Sequence, residues 1–177
     1  MTALRIRAAT PADAQAIARV HVQAWAESYR GLVPDAMIEA LSVERNARMW
    51  TATLDRGEKA VVHVVEVDAD IVGFGSAGEA RDARLGTPGE VSSIYLLDRV
   101  KRRGIGRALL TSLLRALAGC GHSSAGLWVL AGNEPTRRFY EALGGRSGGT
   151  RVVEGSHGEM HEVAYVWDDL TRFAAAN

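Results

Sequence analysis

The order of predicted elements along the 177 residues, β, α, α, β, β, β, α, β, α, β, β, defines an α/β (α+β) fold. It reads as one domain with a mixed, mostly antiparallel central sheet of six to seven strands, flanked by about four helices. Three observations predict it. β-Branched runs bounded by turn residues recur along the chain. Leucines and other apolar residues repeat at helical spacing between those runs. The length, with 47% hydrophobic and 24% charged residues, suits a single continuous core.

Each element has its own signal. From Leu4, "LRIRAAT" alternates Leu4, Ile6 and Ala8 with Arg5 and Arg7, the period of a half-buried strand. Thr10, Pro11 and Asp13 supply a cap, a first-turn proline and an acid three residues after the cap, predicting a helix from Pro11 to about Tyr29. Its apolar stripe is Ile17, Val20, Ala24 and Trp25. Gly31 and Pro34 end it. Residues 34–54 then read as one or two further helices, with Met37, Ile38, Leu41, Met49 and Leu54 apolar.

"AVVHVVEVD" and "IVGFGSAGEA" are strands separated by the turn residues Asp68, Ala69 and Asp70, hence a hairpin. "EVSSIYLL" is a third strand, and a helix follows with Leu109, Leu110, Leu113, Leu114 and Leu117 in phase. "AGLWVLA" is another strand. "EPTRRFYEAL" is a short helix with Pro135 in its first turn and Gly144 as its C-cap. Strands around Arg151–Glu154 and Glu162–Trp167 flank a glycine-rich turn. No repeat interrupts this order, so residues 1–177 form one domain, with a core of about 4–170 and a tail over 171–177.

The 21 basic residues balance the 21 acidic ones, so the whole-molecule field favours neither nucleic acid nor an anionic membrane. Cys120 stands alone, which excludes an internal disulfide and points to a reducing, cytoplasmic setting. "MTALRIRAAT" lacks a signal-peptide core, and Arg115 cuts the apolar run Ala108–Ala118, so neither export nor a membrane span is expected. His21, His63, His122, His157 and His161 show no metal-ligand spacing. No metal is expected.

"VKRRGIGRALLTSLLRALAG" places Lys101, Arg102, Arg103 and Arg107 around Gly104 and Gly106, directly before a helix. Glycines that fold tightly against a first helical turn leave N–H groups pointing outward, where the helix dipole adds partial positive charge. That is an anion site, most naturally for phosphate. The loop is neither a Walker sequence nor a full dinucleotide fingerprint. A solvated basic turn is the other reading of the loop by itself.

With its flanking strand and helix, "EVSSIYLLDRVKRRGIGRALLTSLL" resembles the central motif of the GCN5-related N-acetyltransferase superfamily, [R/Q]xxGx[G/A]. Lys101 stands where that family has Arg or Gln. "LWVLAGNEPTRRFYEALGG" resembles the family's next motif, and "IARVHVQAWAESYRGLVPD" and "LSVERNARMW" resemble its N-terminal part in small bacterial members. The resemblance runs from Arg7 to Leu170.

The resemblance implies an enzyme, an acetyl-CoA-dependent N-acyltransferase moving acetyl to a primary amine by direct attack in a ternary complex. It implies acetyl-CoA as co-substrate, held by Leu96, Lys101, Arg102, Arg103, Gly104, Ile105, Gly106, Arg107 and Asn133, with a backbone N–H near Leu96 facing the thioester oxygen. Tyr140 is the implied general acid for the departing thiolate, and Glu90 the implied base, acting directly or through water. Trp25 and Tyr29 border the implied acceptor site.

Each has a structural alternative: Tyr140 and the two aromatics as packing, Glu90 as a surface carboxylate, Asn133 as a helix cap. The acceptor is a small-molecule amine or peptide amine, and a homodimer is left open. The alternatives in function are an acyl-CoA-binding or sensing module without catalysis, and a nucleotide or nucleic-acid binder. The second is disfavoured by zero net charge and by the lack of aromatics among the basic residues.

Overall fold

The computed structural model describes residues 4–57, 61–155 and 158–173. In chain order they form β1 (Leu4–Ala8), a short 3₁₀ turn (Pro11–Asp13), α1 (Ala14–Tyr29), α2 (Asp35–Glu39), α3 (Val43–Leu54), β2 (Val61–Val67), β3 (Asp70–Glu79), β4 (Gly89–Leu96), α4 (Ile105–Gly119), β5 (Ala125–Leu130), α5 (Glu134–Ala142), β6 (Arg146–Gly155) and β7 (Gly158–Trp167). The seven strands follow the hydrogen-bonded order β1-β2-β3-β4-β5-β7-β6. The fold is the expected mixed α/β one, with five α-helices where about four were expected. Of the one or two helices expected over residues 34–54 there are two, divided at Ala40–Ser42, where the Ser42 hydroxyl accepts from the Arg45 N–H and starts α3 afresh.

Contacts gather the chain into two compact units. Met1–Ala77 with Ser93–Leu113 make the first. There β1 pairs antiparallel with β2 (Ile6↔Val65) and β2 with β3 (Val64↔Phe74). The hairpin loop has two residues, Asp68 and Ala69, both with positive φ, and Asp70 already belongs to β3. That left-handed pair matches the twist of the flanking strands. α1 buries Ile17, Ala18, Val20 and Ala24 as its stripe requires, while Trp25 is half-buried. Met49, expected inside, is exposed. Trp50 takes the buried position on α3, because its larger apolar surface gains more from leaving water.

The Asp13 carboxylate anchors the start of the first helical segment. It accepts from the Thr10 N–H at 2.7 Å and from both terminal nitrogens of the Arg7 guanidinium. Hydrogen bonds from Arg7 outweigh burial and hold its pKa down at about 2.

Gly78–Ser92 with Leu114–Asn177 make the second unit. β4 and β5 run parallel and, among the described residues, pair through Gly89↔Ala125 and Glu90↔Gly126. β5, β7 and β6 are antiparallel neighbours, with Tyr165 and Trp167 of β7 wholly buried. β6 and β7 are longer than their sequence signals. Gly148 and Gly149, which break the hydrophobic pattern, lie inside β6 at a register shift between Ser147 and Thr150. His157 of the glycine-rich turn and residues 174–177 of the tail lie outside the described residues.

Candidate active site

In the first unit the glycine loop joins a 3₁₀ turn, Asp98–Val100, to α4. Val100 and Ile105 are buried on either side of it, so the loop is pinned at both ends and its middle is driven outward. Arg102 and Gly104 both take positive φ, 59° and 78°, and Arg102, Arg103, Gly104 and Arg107 are exposed. The Ala108 N–H donates to the Gly104 carbonyl at 3.1 Å, so the N–H groups of Ile105, Gly106 and Arg107 precede the first helical bond. Space around Gly104 is open, with nothing within 4 Å of the place a Cβ would occupy. These are the features of a receptor for a phosphate group, and they fit the pyrophosphate of coenzyme A.

Lys101 differs from its three basic neighbours. Its ammonium pairs with Asp98 at 2.6 Å and donates to the Ser28 hydroxyl at 3.2 Å, tying the loop to α1. The Glu27 carboxylate accepts from the Asp98 N–H at 2.8 Å and makes a second tie.

Trp25 and Tyr29 come together on α1, with ring centroids 4.7 Å apart. Both meet Tyr95 of β4. The Trp25 indole N–H donates to the Tyr95 hydroxyl at 3.1 Å, and the Tyr29 hydroxyl lies 3.4 Å from it. The ring of His21 stacks on Tyr95, and its Nδ1 accepts from the Trp50 indole at 3.2 Å. With Nδ1 accepting, a neutral His21 carries its proton on Nε2. Burial lowers its pKa to about 4, so it is uncharged at neutral pH. Tyr95 and His21 were not singled out by the sequence. Tyr95 is adjacent to Leu96, which ends β4 and is half-buried.

In the second unit Glu90 is 3% exposed. Its carboxylate accepts from the Arg81 N–H at 2.9 Å and from the Arg81 guanidinium at 2.7 and 3.2 Å. Burial works to raise its pKa, and the Arg81 hydrogen bonds together outweigh it and leave the carboxyl below the usual range. Nothing in the sequence marked Arg81 as the partner. Asn133 caps α5, its side-chain oxygen accepting from the Thr136 N–H at 3.4 Å. Tyr140 is buried on α5 against Phe139, Tyr165 and Trp167.

Among the described residues, no helix is long and apolar enough to cross a membrane, and no three His, Cys, Asp or Glu side chains gather as a metal group.

The sequence pattern of the acetyltransferase (GNAT) family matches residues 20–145. The uncharacterized N-acetyltransferase YuaI of Bacillus subtilis is 31% identical over 94% of this chain and 94% of its own length. A phosphinothricin N-acetyltransferase of Streptomyces viridochromogenes is 29% identical over 92% of this chain and 85% of its own. Among solved structures, yncA of Salmonella typhimurium with its cofactor acetyl-CoA superimposes with a TM-score of 0.72, at 20% identity, covering 99% of this chain and 98% of that one. The chain belongs to the acetyltransferase (GNAT) family. It is an enzyme that uses acetyl-CoA as co-substrate for acyl transfer.

Proposed function

We propose that the protein transfers acetyl from acetyl-CoA to a primary amine of a small molecule or peptide by direct attack in a ternary complex. The observation that carries this reading is the loop at Arg102–Arg107: two left-handed residues, open space at Gly104, and N–H groups ahead of the first bond of α4. In it, the N–H groups of Ile105, Gly106 and Arg107 hold the pyrophosphate, while Arg102, Arg103 and Arg107 neutralise it from the rim. Lys101, already paired with Asp98, braces the loop. Asn133 combines its cap with a cofactor contact.

Bound acetyl-CoA supplies an activated acetyl thioester. A backbone N–H near Leu96 stabilises the negative charge that gathers on the carbonyl oxygen. Tyr140 gives its proton to the departing sulfur, a task suited to a phenol that stays protonated at neutral pH. Trp25 and Tyr29, with Tyr95, wall the acceptor site. An ammonium with a pKa near 10.4 must lose a proton before it attacks. Glu90, committed to Arg81, is a weak proton acceptor and acts through water.

Two variants test the assignment. Gly104→Val forces a β-branched residue into a left-handed position and should weaken acetyl-CoA binding about 100-fold by calorimetry; unchanged affinity would remove the loop from the site. Tyr140→Phe should lower kcat about 100-fold and leave KM for acetyl-CoA nearly constant. Initial rates with both substrates varied should give intersecting reciprocal plots. Parallel ones would indicate an acyl-enzyme instead. Saturable acetyl-CoA binding with no transfer to any amine would favour a sensing module.

A further inference from the structure

Tyr165 of β7 is a titratable group that the mechanism above leaves unused. Its side chain is wholly buried, yet its hydroxyl makes two directional contacts with one helix. It donates to Glu141 Oε1 at 2.6 Å and accepts from Arg137 Nε at 3.3 Å. Arg137 and Glu141 are four residues apart, on one face of α5. Arg137 also donates through Nη1 to the carbonyl of Ala131 at 3.0 Å, just past the end of β5 and two residues before Asn133. One buried hydroxyl therefore ties the helix to β7, and through Arg137 to the strand end that leads into the cap.

Tyr140 sits between the two ties. Its ring centroid lies 5.9 Å from that of Tyr165 and 6.1 Å from that of Trp167, the latter edge-on at 90°. Trp167, two residues further along β7, donates its indole N–H to the Leu143 carbonyl at 3.1 Å. Apolar packing alone is non-directional and lets a nine-residue helix rotate or slide by fractions of an ångström. Hydrogen bonds at 137, 141 and 143 remove that freedom around position 140. A phenylalanine at 165 would fill the same space without burying a polar atom, so the hydroxyl serves orientation rather than volume.

We propose that Tyr165 is a positioning residue for acetyl transfer: with Arg137 and Glu141 it fixes the rotation of α5, and thereby the place of the Tyr140 hydroxyl. The inference rests on the reading of Tyr140 as the proton donor. Misplacing a reacting group by about an ångström costs up to ~100-fold in rate, so loss of the two hydrogen bonds that the Tyr165 hydroxyl makes, with the Trp167–Leu143 bond kept, should cost less than loss of the donor itself. Burial and the Glu141 carboxylate both raise the pKa of Tyr165, so it remains a hydrogen-bond donor over the working pH range.

The test is a kinetic cycle of the whole enzyme, Tyr165→Phe, Tyr140→Phe and the double variant, with turnover followed against pH. Tyr165→Phe should lower kcat about tenfold, leave KM for acetyl-CoA within about twofold, and move the alkaline limb of the kcat profile. In the Tyr140→Phe background the same change should alter kcat less than about twofold, since the donor it orients is gone. Glu141→Ala, at an exposed position, removes one of the two hydroxyl contacts without opening the core and should reproduce part of the loss. Glu141→Gln, which keeps an accepting oxygen, should recover most of it. An equal loss of kcat in both backgrounds would overturn the inference, leaving Tyr165 a role independent of Tyr140. No loss in Tyr140→Phe alone would instead overturn the reading beneath it, and the inference with it.

Discussion

At the scale of single residues, His21 carries the clearest pH dependence. Packed among Trp50, Phe74 and Tyr95, its imidazole has a pKa near 4, against 6.5 for the ordinary side chain. Between those values the unfolded chain binds a proton that the folded chain refuses, so stability falls as pH drops from 6.5 to 4. Melting temperature followed over that range should decline in the parent protein and decline less steeply in His21→Gln. Equal slopes would mean that His21 is not the group responsible. Asp13 acts in a lower window: its depressed pKa gives stability that is present above pH 4 and lost toward pH 2. The sequence showed His21 only as one of five histidines without metal-ligand spacing. Its partners are 29, 53 and 74 positions away, and the tautomer follows from one of them, the Trp50 indole.

At the scale of elements, local signals were enough wherever a few neighbouring residues decide the outcome. The leucines of α4 are each at most 1% exposed, as their spacing required, and Asn133 caps α5 where the cap was expected. The hairpin after β2 obeys the turn rule yet uses a residue poorly suited to it. Ala69 has φ 72°, a region where a side chain costs about 1 kcal/mol that glycine avoids. Ala69→Gly should raise stability by about 0.5–1 kcal/mol in urea unfolding, and a loss would show that the turn is held by something other than backbone preference. The ends of β6 and β7 escaped the local reading because cross-strand pairing carries glycines and polar residues into the ladder.

At the scale of the whole molecule, the formal charge is zero, and yet the co-substrate is a polyanion. In the proposed site the attraction comes from the local set Arg102, Arg103 and Arg107, all exposed. The Kd for acetyl-CoA should therefore rise several-fold, about fivefold, between 50 mM and 500 mM salt, and Arg102→Gln with Arg103→Gln should flatten that dependence. A salt-independent Kd in the parent protein would move the weight of recognition to the neutral N–H groups of the loop. The sequence by itself determined the fold class and the basic glycine loop, because strand and helix periods and turn chemistry are written within stretches of about 20 residues, and the co-substrate followed from the resemblance of that loop and its flanking strand and helix to the family motif. Only the tertiary structure decided that Tyr95 joins Trp25 across 70 positions, that Arg81 occupies the Glu90 carboxylate, and that Lys101 turns inward to Asp98 and Ser28. The Trp25–Tyr95 and Ser28–Lys101 partnerships depend on which strands and helices come to lie side by side, and residue spacing does not encode the meeting of side chains brought together by the closure of long loops; Arg81–Glu90 and Lys101–Asp98 are nine and three positions apart and depend on how the chain turns between them.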